Sequence, residues 1–232
     1  MPIKTLRIVR TGTIPIEQFE QPTVWSMKRR MGISGASSVT LIKTESETLL
    51  VDTGFDYEAD GSLLNLESNQ EKLRERLLAL GYDPNDIPNV FITHWHRDHF
   101  GNLELFPNAK IFTSKTAISY RGLNNRFPNL IGIQNHDEII SGVFAMATPG
   151  HTVDHFSLRF KYEDLNYIVA GDAVTSLSYF LAGQIWAYNP DFTTQELAIK
   201  SLQRITKMAS VIIPGHGAPF FVEDKIKHKI LD

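Results

Sequence analysis

The chain has 232 residues and a mass of 26.2 kDa, with 42% hydrophobic and 21% charged residues, enough apolar material for a packed core and too much for a disordered chain. Its formal charge of −3, from 23 basic and 26 acidic side chains, excludes a strongly basic nucleic-acid coat but not a nuclease whose metals supply the positive field. Cysteine is absent, which removes disulfides, thiolate metal sites and a catalytic thiol, and leaves nitrogen and oxygen as the metal donors. No run approaches the roughly 18 apolar residues of a membrane span, and Met1-Pro2-Ile3-Lys4 has no signal core. The expectation is a cytoplasmic protein without a membrane partner, folded as one domain over residues 1–232.

In chain order, the first distinctive stretch is Lys28-Arg29-Arg30, flanked by Trp25, Met27 and Met31 and followed by Gly32 and Gly35. A basic triplet is ordinarily a solvated face; as a movable flap, the Trp25–Gly35 loop would meet an anionic substrate, and its exposed aromatic side would suit a homo-oligomer. Ser38–Ile42 and Thr48–Val51 then read as a hairpin. Ser68 with Glu71 makes a capping box, Leu73, Leu77 and Leu80 come next at helical spacing, and Gly81 stops that helix. Val90-Phe91-Ile92 is a strand, and a weaker helix covers Ser114–Tyr120. Val143–Met146, Tyr167–Ala170 and Val211–Ile213 are strands, with a helix between the last two signalled by Thr193, Glu196, Ala198, Leu202 and Ile205. These strands are continuously apolar rather than alternating, as expected for burial on both faces. Strands interleaved with helices predict an α/β layered fold, and the return to strands after residue 140 allows two similar halves.

The residues just past each apolar run carry the chemistry. Val51 leads to Asp52-Thr53-Gly54, and Ile92 to Thr93-His94-Trp95-His96-Arg97-Asp98-His99. Met146 leads to Thr148-Pro149-Gly150-His151, Ala170 to Gly171-Asp172, and Ile213 to Pro214-Gly215-His216-Gly217. Ligand sites gather beyond the carboxyl ends of strands in layered α/β folds. His94 and His96, two apart, project to one side of an extended backbone, while Asp98 and His99 fall where the chain turns toward Gly101. The segment can therefore address two cations, with His151 and His216 supplying one further ligand apiece and Asp172 available as a bridge. A lone histidine near a strand end is ordinarily a surface group, and His136, His155 and His228 keep that reading, with His155 the one to watch behind the ligands.

His94-x-His96-x-Asp98-His99, then His151, Asp172 and His216, resembles the ligand set of the metallo-β-lactamase-fold hydrolases over positions 52 to 216. The resemblance implies a four-layer αβ/βα sandwich with a two-metal centre between its sheets. It assigns His94, His96 and His151 to one metal, Asp98, His99 and His216 to the other, and Asp172 to both. Asp52 matches the family's structural acid, which orients a ligand histidine or a loop amide. Gly101–Pro107 and Pro214–Phe220 are similar to the glyoxalase II-like branch, which adds thioester hydrolysis and RNA cleavage to the expectations. The lactonases of the superfamily have a Tyr three residues after the bridging Asp; Thr175 stands there in this chain.

The expected reaction is hydrolysis of a small ester, lactone or thioester by a metal-bridging hydroxide, with two divalent ions polarising the substrate oxygen. Zinc is the expected metal, with iron or manganese as alternatives, and Asp98 or Asp172 is the expected proton carrier. Ser178-Tyr179-Phe180 and Ile185-Trp186-Ala187-Tyr188 would line a substrate wall or simply pack in the core. The competing readings are a metal-dependent phosphodiesterase or ribonuclease acting on RNA, and a mononuclear iron enzyme of the persulfide dioxygenase kind.

Overall fold

The continuous apolar strands bury both faces because each sheet is sandwiched. A computed structural model describes residues 2–12, 36–55, 66–187 and 189–231; the Trp25–Gly35 loop and Tyr188 lie outside them. The first sheet holds β1 (Thr5–Arg10), β2 (Val39–Lys43), β3 (Thr48–Val51), β4 (Asn89–Phe91), β5 (Lys110–Ser114) and β6 (Leu130–Ile133), in that order. Its early pairs are antiparallel, whereas β3 to β6 run parallel. The second sheet holds β7 (Glu138–Ile140), β8 (Val143–Ala147), β9 (Phe156–Tyr162), β10 (Leu165–Gly171), β11 (Val211–Pro214) and β12 (Phe220–Phe221), ordered β12-β11-β10-β9-β8-β7. Only β10 and β11 pair in parallel there. The two halves expected from the strand distribution are thus two mixed six-stranded sheets.

Successive residues of one strand enter different cores. Leu49, Val51, Phe91, Val169 and Ile213 meet between the sheets. Their neighbours Leu50, Val90 and Ile92 face outward onto Leu73 and Leu77 of α1 (Leu66–Ala79) and Ala117 of α3 (Lys115–Arg121). On the other side, Ile168, Ala170 and Ile212 pack against Phe180 of α4 (Leu177–Ala182), Leu202 and Ile205 of α5 (Gln195–Met208), and Ile230 of α6 (Asp224–Leu231). Helix, sheet, sheet and helix form the four expected layers.

Two helix boundaries differ from those expected. Helix α1 begins at Leu66, so Ser68 and Glu71 lie inside its first turns, and Leu80, past its end, is 38% exposed while Leu73 and Leu77 are buried. Helix α5 is capped by Thr194, whose side chain accepts from Leu197 N, because Thr193 Oγ1 is already committed to Gly150 O at 2.9 Å. Ser114 caps α3 as the third helix requires, accepting from Ala117 N. Among the described residues no helix is long and apolar enough to cross a membrane.

Candidate metal centre

Five strand ends converge at one edge of the sandwich. Beyond β4 the chain bends at Thr93 and His94, is extended at His96 (φ −82°, ψ 142°), then makes a single turn of helix, α2 (Arg97–Phe100). The segment before the turn carries His94 and His96, and the turn carries Asp98 and His99. His151 comes after β8, Asp172 after β10, and His216 after β11. Close packing here requires glycine: a Cβ on Gly215 would overlap Asp172 Oδ1, and a Cβ on Gly171, at φ +52°, would sit 2.8 Å from His155 Nε2 and 3.0 Å from the Thr93 side chain.

The seven residues form two groups. In the first, His94 Nε2 and His151 Nε2 each stand 3.0 Å from His96 Nδ1, and His151 Nε2 is 3.3 Å from Asp172 Oδ2. In the second, His216 Nε2 is 3.3 Å from Asp98 Oδ2, with His99 Nε2 3.7 Å from the same oxygen. Asp172 Oδ1 faces this second group, 3.3 Å from His99 Nε2 and 3.5 Å from His216 Nε2. Donors held about 2.0–2.1 Å from a tetrahedral ion are separated from one another by about 3.3 Å. The observed separations are close to that edge length. His99 Nε2 and Asp172 Oδ1, buried and 3.3 Å apart, make no hydrogen bond of good geometry, an arrangement that costs free energy unless something else binds them. The donor set fits two cations sharing one carboxylate.

The outer nitrogens of the imidazoles are held from behind. His99 Nδ1 donates to Asp52 Oδ2 at 2.7 Å, and Thr93 N donates to Asp52 Oδ1 at 2.9 Å. Thr93 Oγ1 also reaches Asp52 Oδ2 at 2.9 Å and stands 3.1 Å from His94 Nδ1. One carboxylate therefore backs a histidine of each group, as the acid after β3 was expected to do. Asp52 adopts φ +58°, a conformation uncommon for a side-chain-bearing residue. His151 Nδ1 lies 3.1 Å from the Asn189 amide, and His96 Nε2 lies 3.5 Å from Asp191 Oδ2.

Electrostatics divide the groups. Burial, reinforced by neighbouring imidazoles, holds His94 well below its ordinary pKa. Burial also lowers His96, and takes His151 down to about 4 against the pull of Asp172. These three offer neutral lone pairs at pH 7. Burial would lower His99 too, but Asp52, Asp98 and Asp172 hold it well above the usual value. Asp172 and Asp98 likewise overcome burial at His216 and raise it to about 10. Burial opposes ionisation of Asp172 and Asp98, yet the imidazoles keep both carboxyls below their ordinary range.

The remaining expected residues fall less neatly. Trp186 and Ile185 pack beside His151, Asp172 and Ala173 around a space of only about 10 Å³, too small for a substrate. Tyr179 is buried behind Trp186, ring centroids 5.7 Å apart, and Phe180 belongs to the core. His155 is fully buried, 4.9 Å from the His94 ring, with Nδ1 on Thr148 Oγ1 at 2.8 Å and burial lowering its pKa to about 3. His136 and His228 are exposed. Asn189, Asp191 and Arg121 were not found by sequence reasoning, since single polar residues in unrelated segments give no local signal.

The fold recurs among known proteins. The family model described as the metallo-beta-lactamase superfamily matches residues 33–216. The chain is 34% identical over 209 residues to "Metallo-beta-lactamase domain-containing protein 1" of Mus musculus, covering 87% of this chain and 73% of that protein. It is 25% identical over 202 residues to an N-acyl homoserine lactonase of Bacillus sp, covering 76% and 79%. Among solved structures, a B. thuringiensis AiiA variant with N-decanoyl-L-homoserine at its active site superposes with a TM-score of 0.66 at 21% identity, over 93% of this chain and 94% of that one.

Proposed function

The chain belongs to the metallo-beta-lactamase superfamily, and from that premise we propose that it is a dinuclear metal hydrolase acting on a small ester, lactone or thioester. The carrying observation is Asp172, whose two oxygens face the two imidazole groups at 3.3 Å each. Two divalent ions held there would activate a water molecule as nucleophile and polarise the acyl oxygen of the substrate. Zinc is the metal we propose: the donor set of five imidazoles and two carboxylates suits it, and a structural neighbour is described as a dizinc lactonase.

The chain's own residues then have distinct tasks. His94, His96, His151, Asp98, His99 and His216 would hold the ions, and Asp172 would offer an oxygen to each. Asp98 is the proton carrier we favour, because its side chain is 19% exposed against 6% for Asp172, so it can exchange a proton with a leaving group. Thr175 is buried with its hydroxyl directed at Asp172 O, 3.5 Å away, so a tyrosine hydroxyl at that position plays no part.

The test is metal content per chain, prepared without chelator, for the parent and for Asp172→Ala, followed by a panel of lactones, thioesters and labelled RNA. Close to two ions per chain, reduced by the substitution, with turnover of an acyl substrate supports the reading. Exclusive cleavage of RNA would replace it with a ribonuclease, and one iron per chain with oxygen consumption would replace it with an oxygenase.

A further inference from the structure

We propose that the segment Asn189-Pro190-Asp191 is the clamp that sets the affinity of the His94–His96–His151 group for its ion. Two of the three imidazoles in that group are backed from this one short segment. Asn189 meets His151 Nδ1 at 3.1 Å, and Asp191 Oδ2 stands 3.5 Å from His96 Nε2. An imidazole that gives Nε2 to a cation carries its proton on Nδ1 and needs an acceptor there. Asn189 Oδ1 is buried without a partner while its Nδ2 faces that nitrogen; turning the amide about Cβ–Cγ puts the oxygen on Nδ1–H as acceptor and moves Nδ2 to the other position. For His96, which offers Nδ1 to the group, the proton lies on Nε2 and faces a carboxylate.

The clamp is anchored rather than free. Arg121, at the end of α3, donates through Nη2 to Asp191 Oδ2 at 2.9 Å. Through Nε and Nη2 it also holds both oxygens of Asp154, at 2.7 and 3.1 Å. Asp154 lies three residues after His151, and its carbonyl accepts from Ser114 Oγ, the cap at the other end of α3, at 2.9 Å. Helix α3 therefore fixes the position of the His151 loop and of the clamp together. The second group has no residue from this segment: His99 is backed by Asp52. Positioning by Asn189 and Asp191 consequently acts on one ion and spares the other.

This inference rests on the dinuclear reading, and chelator competition with zinc on the whole chain separates the two. We expect Asn189→Ala and Asp191→Ala each to weaken one ion by about 10- to 100-fold and to leave the other within about threefold. The conservative Asn189→Asp, which keeps an acceptor on His151 Nδ1, should retain parent affinity. Metal-free Asn189→Ala should melt within about 2 °C of the metal-free parent, because a positioning role adds little stability without the ion, whereas Asp191→Ala also loses the Arg121 ion pair and is read by metal affinity alone. Cobalt substitution should alter the visible absorption of one site only. Equal weakening of both ions, parent affinity in both alanine variants, or a parallel fall in the metal-free melting temperature of Asn189→Ala would overturn the clamp. A parent chain that binds no ion would instead overturn the dinuclear reading.

Discussion

The split in electrostatics makes the two metal-binding steps respond differently to pH. In the metal-free chain His94, His96 and His151 are neutral at pH 7, the last with a pKa of about 4. The first ion therefore displaces no proton from its imidazoles at pH 7, and its affinity should be nearly flat from pH 7 to 8. His216, raised to about 10 by Asp172 and Asp98 against burial, is cationic over that range, and Asp52, Asp98 and Asp172 hold His99 well above its ordinary value against burial. A second ion must expel both protons before the lone pairs become available. Each displaced proton strengthens apparent binding about tenfold per pH unit, so two give a ceiling of about 100-fold. The first ion draws on Asp172 and brings the observed slope below that ceiling. Zinc titrations against a competing chelator at pH 6, 7 and 8 read both steps, and calorimetry in buffers of different ionisation enthalpy counts the protons. Equal pH slopes for the two steps, or a second step independent of pH, would refute the division of the site.

Three further outcomes test the fold around the site. Gly215→Ala should weaken metal binding by at least about tenfold, since its Cβ would displace Asp172 Oδ1; metal analysis after dialysis reads this. Leu77→Ala, at a fully buried position against the first sheet, should cost about 2–5 kcal/mol in urea denaturation while metal stoichiometry stays at the parent value. Glu163 and Asp164 turn β9 into β10 with φ of +47° and +64°, the left-handed geometry that Asn-Gly adopts readily. Replacing the pair by Glu163→Asn with Asp164→Gly should therefore stabilise the chain by about 1 kcal/mol, read as a higher urea midpoint.

Much of the site was legible because chemistry collects where buried strands stop. Continuous runs such as Leu49-Leu50-Val51 and Val90-Phe91-Ile92 advertise strands with two dry faces, and the residues after them are the ones that converge. Alternating strands were harder to read. Phe156–Tyr162 places Phe156, Leu158 and Phe160 on the inner face with Arg159 and Lys161 opposite, a period-2 signal that a search for unbroken apolar runs passes over. Lys110–Ser114 and Leu130–Ile133 are short strands toward a sheet margin, with little to distinguish them from loops. Thr193 rather than Thr194 looked like the helix cap because spacing does not reveal that a hydroxyl is engaged by Gly150. The Arg121–Asp191–His96 chain is the extreme case: three residues up to 95 positions apart in sequence (191 minus 96) that only the finished packing brings together.

The distribution of ligands between the sheets has a consequence for assembly. Among the described strands the chain passes from the first sheet to the second once, between Ile133 and Glu138. His94, His96, Asp98 and His99 lie before that crossing, and His151, Asp172 and His216 lie after it. Neither group of donors is complete within one half, so each cation would act as a rivet between the sheets. A chain cut in the 134–137 connection would yield two half-sites, each a poor chelator, whose reassociation should be driven by the metal as well as by the apolar interface. Metal concentration would then set the yield of the reassembled molecule, making a split version of this protein a reporter of free divalent cation.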